Sequence, residues 1–250
     1  MTNWRILLTR PQAENIVTAE TLATNHIFST NLPLLDIKQL PENSVMLNII
    51  HNLANFKAII VVSKPAAYLL VNLLKRYEIL PSTKTIFFSV GFGTGQILEQ
   101  HNLPVIYPQK GNDSEALLKL TKLQDLIKNQ ANFLLVKGEN GRDLLNKTIK
   151  SANCNITNLE LYQRINLNYS PNFIGQIIYQ NQINGVFITS SQSLIHFTKL
   201  IDLNLYNIVL FVPSNRIADM AKDYGFSKIY NCFGADGNSL LKTLKNNVFN

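Results

Sequence analysis

The chain has 250 residues, room for one large domain or two small ones at roughly 100–200 residues per domain. Hydrophobic residues make up 46 % and charged residues 16 %, which supplies a core and excludes a disordered chain. Lys and Arg number 23 against 16 Asp and Glu, a formal net charge of +7 that attracts anions. The basic residues are dispersed, without the concentrated stripe that nucleic acid wants, so a small anionic ligand gains weight.

No apolar run approaches the ~18 residues of a membrane helix. The start, MTNWRILLTRPQ, lacks a small-residue cleavage site, so no secretory signal is expected. Cys154 and Cys232 form no CxxC motif. A disulfide framework and a thiolate metal site are disfavoured, and a reducing cytoplasm fits.

In chain order, WRILLT (4–9) is a short apolar strand, and Pro11 opens a helix over 12–24. Strands follow at 26–30, 57–62, 85–90, 104–107 and 132–136, separated by helices near 65–77, 94–101, 114–128 and 142–151. The C-terminal part predicts helices at 171–181, 191–202, 214–224 and 237–247, with strands at 185–189, 207–212 and 227–231. Continuous apolar strands alternating with helices indicate parallel sheets covered on both faces, an α/β fold. Two segments break the rhythm. LPLLDIKQLP (32–41) and NLELYQRINLNYSP (158–171) both read as extended.

Too few elements lie in 1–31 to make a core alone. The economical division is therefore a discontinuous α/β domain from 1–33 and 169–250, an inserted α/β domain at 40–158, and linker strands at 34–39 and 159–168. An internal echo supports two similar lobes of doubly wound, flavodoxin-like type. The segment 59–74 resembles 185–201, and 85–107 resembles 207–230. Such sheets bind ligands at the carboxyl ends of their strands, which places a cleft between the lobes.

The informative residues fall at those strand ends: Thr9–Arg10, Ser63–Lys64, Gly91–Thr94, Lys137–Arg142, Thr189–Ser191 and Pro213–Arg216. Each follows an apolar strand and precedes a helix, where free N–H groups favour an anion. Helix capping accounts for any single Ser or Thr, but six such turns with cations beside most of them suit a ligand bearing many carboxylates or phosphates. KGENGRD (137–143) allows close backbone approach at Gly138 and Gly141, and lacks the GK[ST] ending of a P-loop. GFGTG (91–95) is a weak dinucleotide fingerprint, because the third Gly position is Gln96. The four His residues show no metal spacing, and neither a nucleophile elbow nor a carboxylate pair is present. Binding remains, or chemistry by positioning and electrostatics. Tyr162 lies in the second linker, where it is expected to face the cleft and to donate a hydrogen bond or proton to a leaving hydroxyl; packing against the crossing strands is the other reading.

Taken in order, LLTRP, PLLDI, the strand–Ser turn at 59–67, SVGFGTGQILEQHNLPVIYP, GNDSEALL, LLVKGENGRDLL, LELYQRI, VFITSSQSL and PSNRIADMAKDYGF make the chain resemble the uroporphyrinogen-III synthase family over almost its whole length. The resemblance implies two α/β lobes joined by a two-strand ladder. It implies a lyase without metal or organic cofactor. The substrate would be hydroxymethylbilane, a linear tetrapyrrole with eight carboxylates, which loses its terminal hydroxyl as water and closes with inversion of the last pyrrole. A cytoplasmic monomer is implied, with transient contact to the preceding pathway enzyme and no nucleic-acid or membrane partner. Tyr162 matches the linker Tyr that assists hydroxyl departure. Arg10, Ser63, Lys64, Gly91, Thr94, Lys137, Gly138, Arg142, Ser190, Ser191, Ser214 and Arg216 are the expected substrate-binding residues. The chain departs from the family pattern at Val62, Pro65, Gly95 and Arg216, so contacts at those turns are the least fixed. Two rivals stand beside this reading: a two-lobed small-anion binding or sensor protein, and a cofactor-dependent transferase.

Overall fold

The computed structural model describes residues 3–111, 113–141, 143–170, 172–202 and 207–247. The chain divides into two compact units, Met1–Asp36 with Ile165–Asn250, and Ile37–Arg164. Both are α/β, as the alternation of apolar strands and helices predicts.

The first unit is built on β1 (Arg5–Leu8), β2 (Phe28–Asn31), β9 (Gly185–Phe187), β10 (Val209–Val212) and β11 (Ile229–Asn231). They form one parallel sheet in the order β11-β10-β9-β1-β2. Its helices are α1 (Gln12–Ala23), α8 (Phe173–Gln180), α9 (Ser191–Leu200), α10 (Asn215–Asp223) and α11 (Gly237–Asn246). The sheet is covered on both faces. Leu7, Val186, Leu194, Phe197 and Leu210 lie in one core, and Trp4, Ile6, Leu8, Phe187 and Phe211 in the other. The alternation of Ile6 and Leu7 between the two cores is the period-2 signature of a strand buried on both sides.

The second sheet runs β3-β8-β7-β4-β5-β6. Its strands are β3 (Leu35–Gln39), β4 (Ala58–Val61), β5 (Ile86–Ser89), β6 (Val105–Ile106), β7 (Phe133–Gly138) and β8 (Ile156–Asn166). From β8 to β6 the pairings are parallel. Leu40 N–H donates to Leu161 O and Leu167 N–H to Leu34 O, an antiparallel ladder between β3 and β8. Both passages of the chain from one unit to the other fall in these two strands.

Strand for strand, β8-β7-β4-β5-β6 repeats β2-β1-β9-β10-β11. The spatial order is the same, entered at a different point of the chain. The internal echo has this physical basis: 59–74 and 185–201 are the equivalent strand–helix units β4–α3 and β9–α9, with α3 spanning Lys64–Arg76. In each unit the connections diverge to opposite sides of one central strand, between β1 and β9 in the first and between β4 and β7 in the second. Such switch points open a crevice at the carboxyl ends of the strands.

Two helical segments differ from expectation. Helix α2 (Ser44–His51) was absent from the predicted elements; Asn43 caps it by accepting from Met46 N–H at 2.9 Å, and Met46 and Ile50, one turn apart, are its buried residues. The single helix predicted at 114–128 is two, α5 (Ser114–Leu118) and α6 (Thr121–Lys128). Leu117 and Leu123 are both fully buried in the same core, yet six residues apart on one helix they would point about 120° apart. The extended backbone at Leu120 resets the phase. The remaining helices of this unit are α4 (Phe92–Glu99) and α7 (Leu144–Ser151).

Among the described residues, no helix is long and apolar enough to cross a membrane. Both cysteines are free and buried. Burial pushes the Cys232 thiol up to about 11, and that of Cys154 upward as well. Because the thiolate is the nucleophile, both thiols should stay unreactive toward an alkylating agent at pH 8 in the folded protein and react only on unfolding. Thiol titration with and without urea checks this, and fast native reaction at either position would contradict it.

Candidate functional site

In the second unit the carboxyl ends of β4 and β7, at the switch point, gather polar side chains. β4 runs into Ser63, whose hydroxyl accepts from Ala66 N–H at 3.3 Å and so caps α3. Ser63 Oγ is also 2.9 Å from the hydroxyl of Tyr162. The phenol also accepts from Arg164 Nη2 at 3.1 Å, and the Arg164 guanidinium lies 5.5 Å from the ring centroid. Tyr162 is only 1 % exposed and belongs to the core around Leu159, Leu161 and Leu134.

A register shift in the β7–β8 pairing makes this possible. Lys137 pairs with Glu160, but Gly138 pairs with Tyr162, so Leu161 is an extra residue. In a regular strand Leu161 and Tyr162 would point to opposite faces. The bulge turns the Tyr162 ring into the same core as Leu159 and Leu161, and two residues on, Arg164 shares its side. Gly138 supplies the space, since a Cβ there would lie 2.5 Å from Tyr162 Cζ.

Lys137 is buried, with its ammonium 3.6 Å from Glu160 Oε1. Lys64 sends its aliphatic stem across Gly93, where a Cβ would come within 2.8 Å of Lys64 Cε. That contact brings the Ser63–Lys64 turn beside the GFGTG turn. Gly91 precedes α4 with no side-chain cap, and Thr94 is buried in its first turn. Arg142 lies outside the described residues.

In the first unit the expected residues sit at the carboxyl ends of neighbouring strands. Arg10 follows β1 and is paired with Glu14, while its Nε is buried without a hydrogen-bond partner. Ser190 caps α9 by accepting from Ser193 N–H at 3.0 Å. Arg216 Nη1 donates to Ser191 Oγ at 2.6 Å, joining the turns after β10 and β9. Ser214 precedes α10 without a side-chain cap. A separate groove of about 920 Å³, lined by Leu74, Ile79, Leu80, Phe87 and Leu103 among others, holds none of the candidate residues.

The sequence reading missed Arg164 and Glu160. Their signal was present in LELYQRI, as charged residues two positions either side of Tyr162 on a strand. The bulge that decides which of them shares the Tyr162 side is not visible in the residue types.

The family model described as Uroporphyrinogen-III synthase HemD matches residues 17–242, across both units. The chain belongs to the uroporphyrinogen-III synthase family. It is 28 % identical over 165 residues to the uroporphyrinogen-III synthase of Escherichia coli K12, a match covering 64 % of this chain and 66 % of that protein, just under two thirds of its length. The synthase of Proteus mirabilis is 30 % identical over 168 residues, covering 66 % of this chain and 82 % of the relative. In fold, the chain is similar to a mutant uroporphyrinogen III synthase of Thermus thermophilus, with a TM-score of 0.64 at 11 % identity over 98 % of this chain and 100 % of that one. The Helicobacter pylori enzyme gives 0.61 at 14 % identity, over 96 % of this chain and 97 % of that one. The two-lobed α/β architecture is thus that of the synthase family.

Proposed function

We propose that this chain is a uroporphyrinogen-III synthase that converts hydroxymethylbilane to uroporphyrinogen III, a cyclising hydro-lyase of haem biosynthesis that needs no cofactor and works as a cytoplasmic monomer. The observation that carries the reading is the family match running through both units, so that it includes the strand-end turns after β4, β5, β7, β9 and β10.

The site residues suit the task. Eight carboxylates need many donors, and the turns after β1, β4, β5, β7, β9 and β10 offer helix N-termini with Lys64, Lys137, Arg10 and Arg216 among them. The reaction begins with departure of the terminal hydroxyl. Electrons of the adjoining pyrrole push it out, and the hydroxyl cluster of Tyr162 and Ser63 supplies hydrogen bonding to the leaving oxygen. Ring closure with inversion then depends on holding the folded chain so that the last pyrrole attacks through a spiro intermediate, a matter of positioning.

The test is direct. Purified protein incubated with hydroxymethylbilane, without added metal or nucleotide, should yield the type III isomer. Recovery of the uncatalysed, symmetric type I product alone from folded protein would overturn the reading. Salt supplies a further prediction. The Debye length shrinks from ~10 Å at 0.1 M to ~3 Å at 1 M, so the Michaelis constant should rise with ionic strength while melting temperature changes little. A constant indifferent to salt would count against an electrostatic cradle.

A further inference from the structure

Tyr162 is almost wholly buried, whereas Ser63, bonded to it, is partly exposed. The direction of the hydrogen bonds follows from what each group can give. A guanidinium only donates, so the bond from Arg164 fills an acceptor position on the phenol oxygen. The single phenol proton is then directed at Ser63 Oγ, 2.9 Å away. Ser63 Oγ accepts a second bond from Ala66 N–H. A serine hydroxyl has two acceptor positions and one proton. Both acceptor positions are thereby filled, and the proton is left to donate elsewhere.

We propose that Ser63, not Tyr162, hands the proton to the departing hydroxyl of the substrate, with Tyr162 as the proton source behind it and Arg164 as the positioning residue that fixes the direction of transfer. The proposal rests on the reading that hydroxymethylbilane is the substrate. In the step, the carbon–oxygen bond of the hydroxymethyl group breaks and its electron pair leaves with oxygen. That oxygen takes the Ser63 proton and departs as water, while Ser63 takes the proton of Tyr162. The phenolate so formed lies against the Arg164 guanidinium, and the pyrrole nitrogen, its lone pair donated toward the carbon that lost oxygen, carries the positive charge on the substrate. Through the spiro intermediate one carbon–carbon bond forms at the substituted α-carbon of the last pyrrole, the older bond to that carbon breaks, and a third forms at the free α-carbon, which loses a proton that returns through Ser63 to the phenolate. One water leaves, and no other reagent is consumed.

A relay makes its members interdependent, and a double-mutant cycle reads this. Turnover and Michaelis constant would be measured for the parent, Ser63→Ala, Tyr162→Phe and the double variant. Ser63→Gly removes the hydroxyl at a position where Gly is a tolerated helix cap, and Ser63→Thr keeps both hydroxyl and cap. Ser63→Ala and Ser63→Gly should each lower kcat about ten- to a hundredfold, at least as much as Tyr162→Phe, with the Michaelis constant little changed. Ser63→Thr should restore turnover to within about threefold of the parent, and Tyr162→Phe should cost less than about twofold more once Ser63 is Ala. A capping role alone would make Ser63→Gly nearly silent. Losses that multiply in the double variant, or parental turnover in Ser63→Ala, would overturn the relay while leaving the function intact. A parent without activity would overturn both.

Discussion

Tyr162→Phe is expected to fold like the parent, keep its Michaelis constant, and turn over about ten- to a hundredfold more slowly. The ring stays in place because its packing against Leu159, Leu161 and Leu134 does not use the hydroxyl. What goes is the bond to Ser63 and the acceptor for Arg164, a stability loss of about 0.5–1.5 kcal/mol. The loss falls in kcat because the O–H matters when charge develops on the leaving oxygen. The pyrrole supplies much of the driving force, which keeps the effect at the low end of general acid catalysis. Steady-state kinetics with hydroxymethylbilane and a urea melt check the two halves separately. Parental turnover would return Tyr162 to a purely packing role in β8.

The architecture was readable because the physics behind it is local. Runs such as AIIV (58–61) and FLLV (133–136) are apolar without alternation, which only strands covered on both faces require. Ser63, Ser190 and Asp236 stand where caps are needed, and each accepts from the helix it precedes. The site was legible only as a set of turns. That Arg10 would be engaged by Glu14, one helical turn on, follows from spacing and could have been read. That Tyr162 would be buried could not. Strict alternation places Leu159 and Leu161 on one face and Tyr162 on the other, and the extra residue opposite Lys137 and Gly138 reverses this. A bulge depends on how two strands distant in sequence meet, so no residue of LELYQRI announces it. The same holds for the break at Leu120, which answers to the position of a shared core rather than to helix propensity.

Gly138→Ala should be strongly damaging for a change of one methyl group. An added Cβ would lie 2.5 Å from Tyr162 Cζ, 2.6 Å from Cε2 and 3.0 Å from Cδ2, so the ring must move. It is hemmed in by a buried core, and overpacking of this kind costs about 1–3 kcal/mol. Any movement also takes the phenol from Ser63, and a displacement of ~1 Å at a reacting group costs up to ~10²-fold in rate. Stability and turnover should therefore fall together, unlike Tyr162→Phe, where turnover falls with little loss of stability. Gly141→Ala is the control. Its Cβ would meet nothing closer than Gly138 O at 3.5 Å and Lys137 Cε at 3.8 Å, ordinary contacts, so that variant should keep its stability. Urea denaturation and turnover on the two variants decide the matter. If Gly138→Ala matched the control in stability and the parent in turnover, the packing of Tyr162 against the glycine would not be what holds the phenol in place.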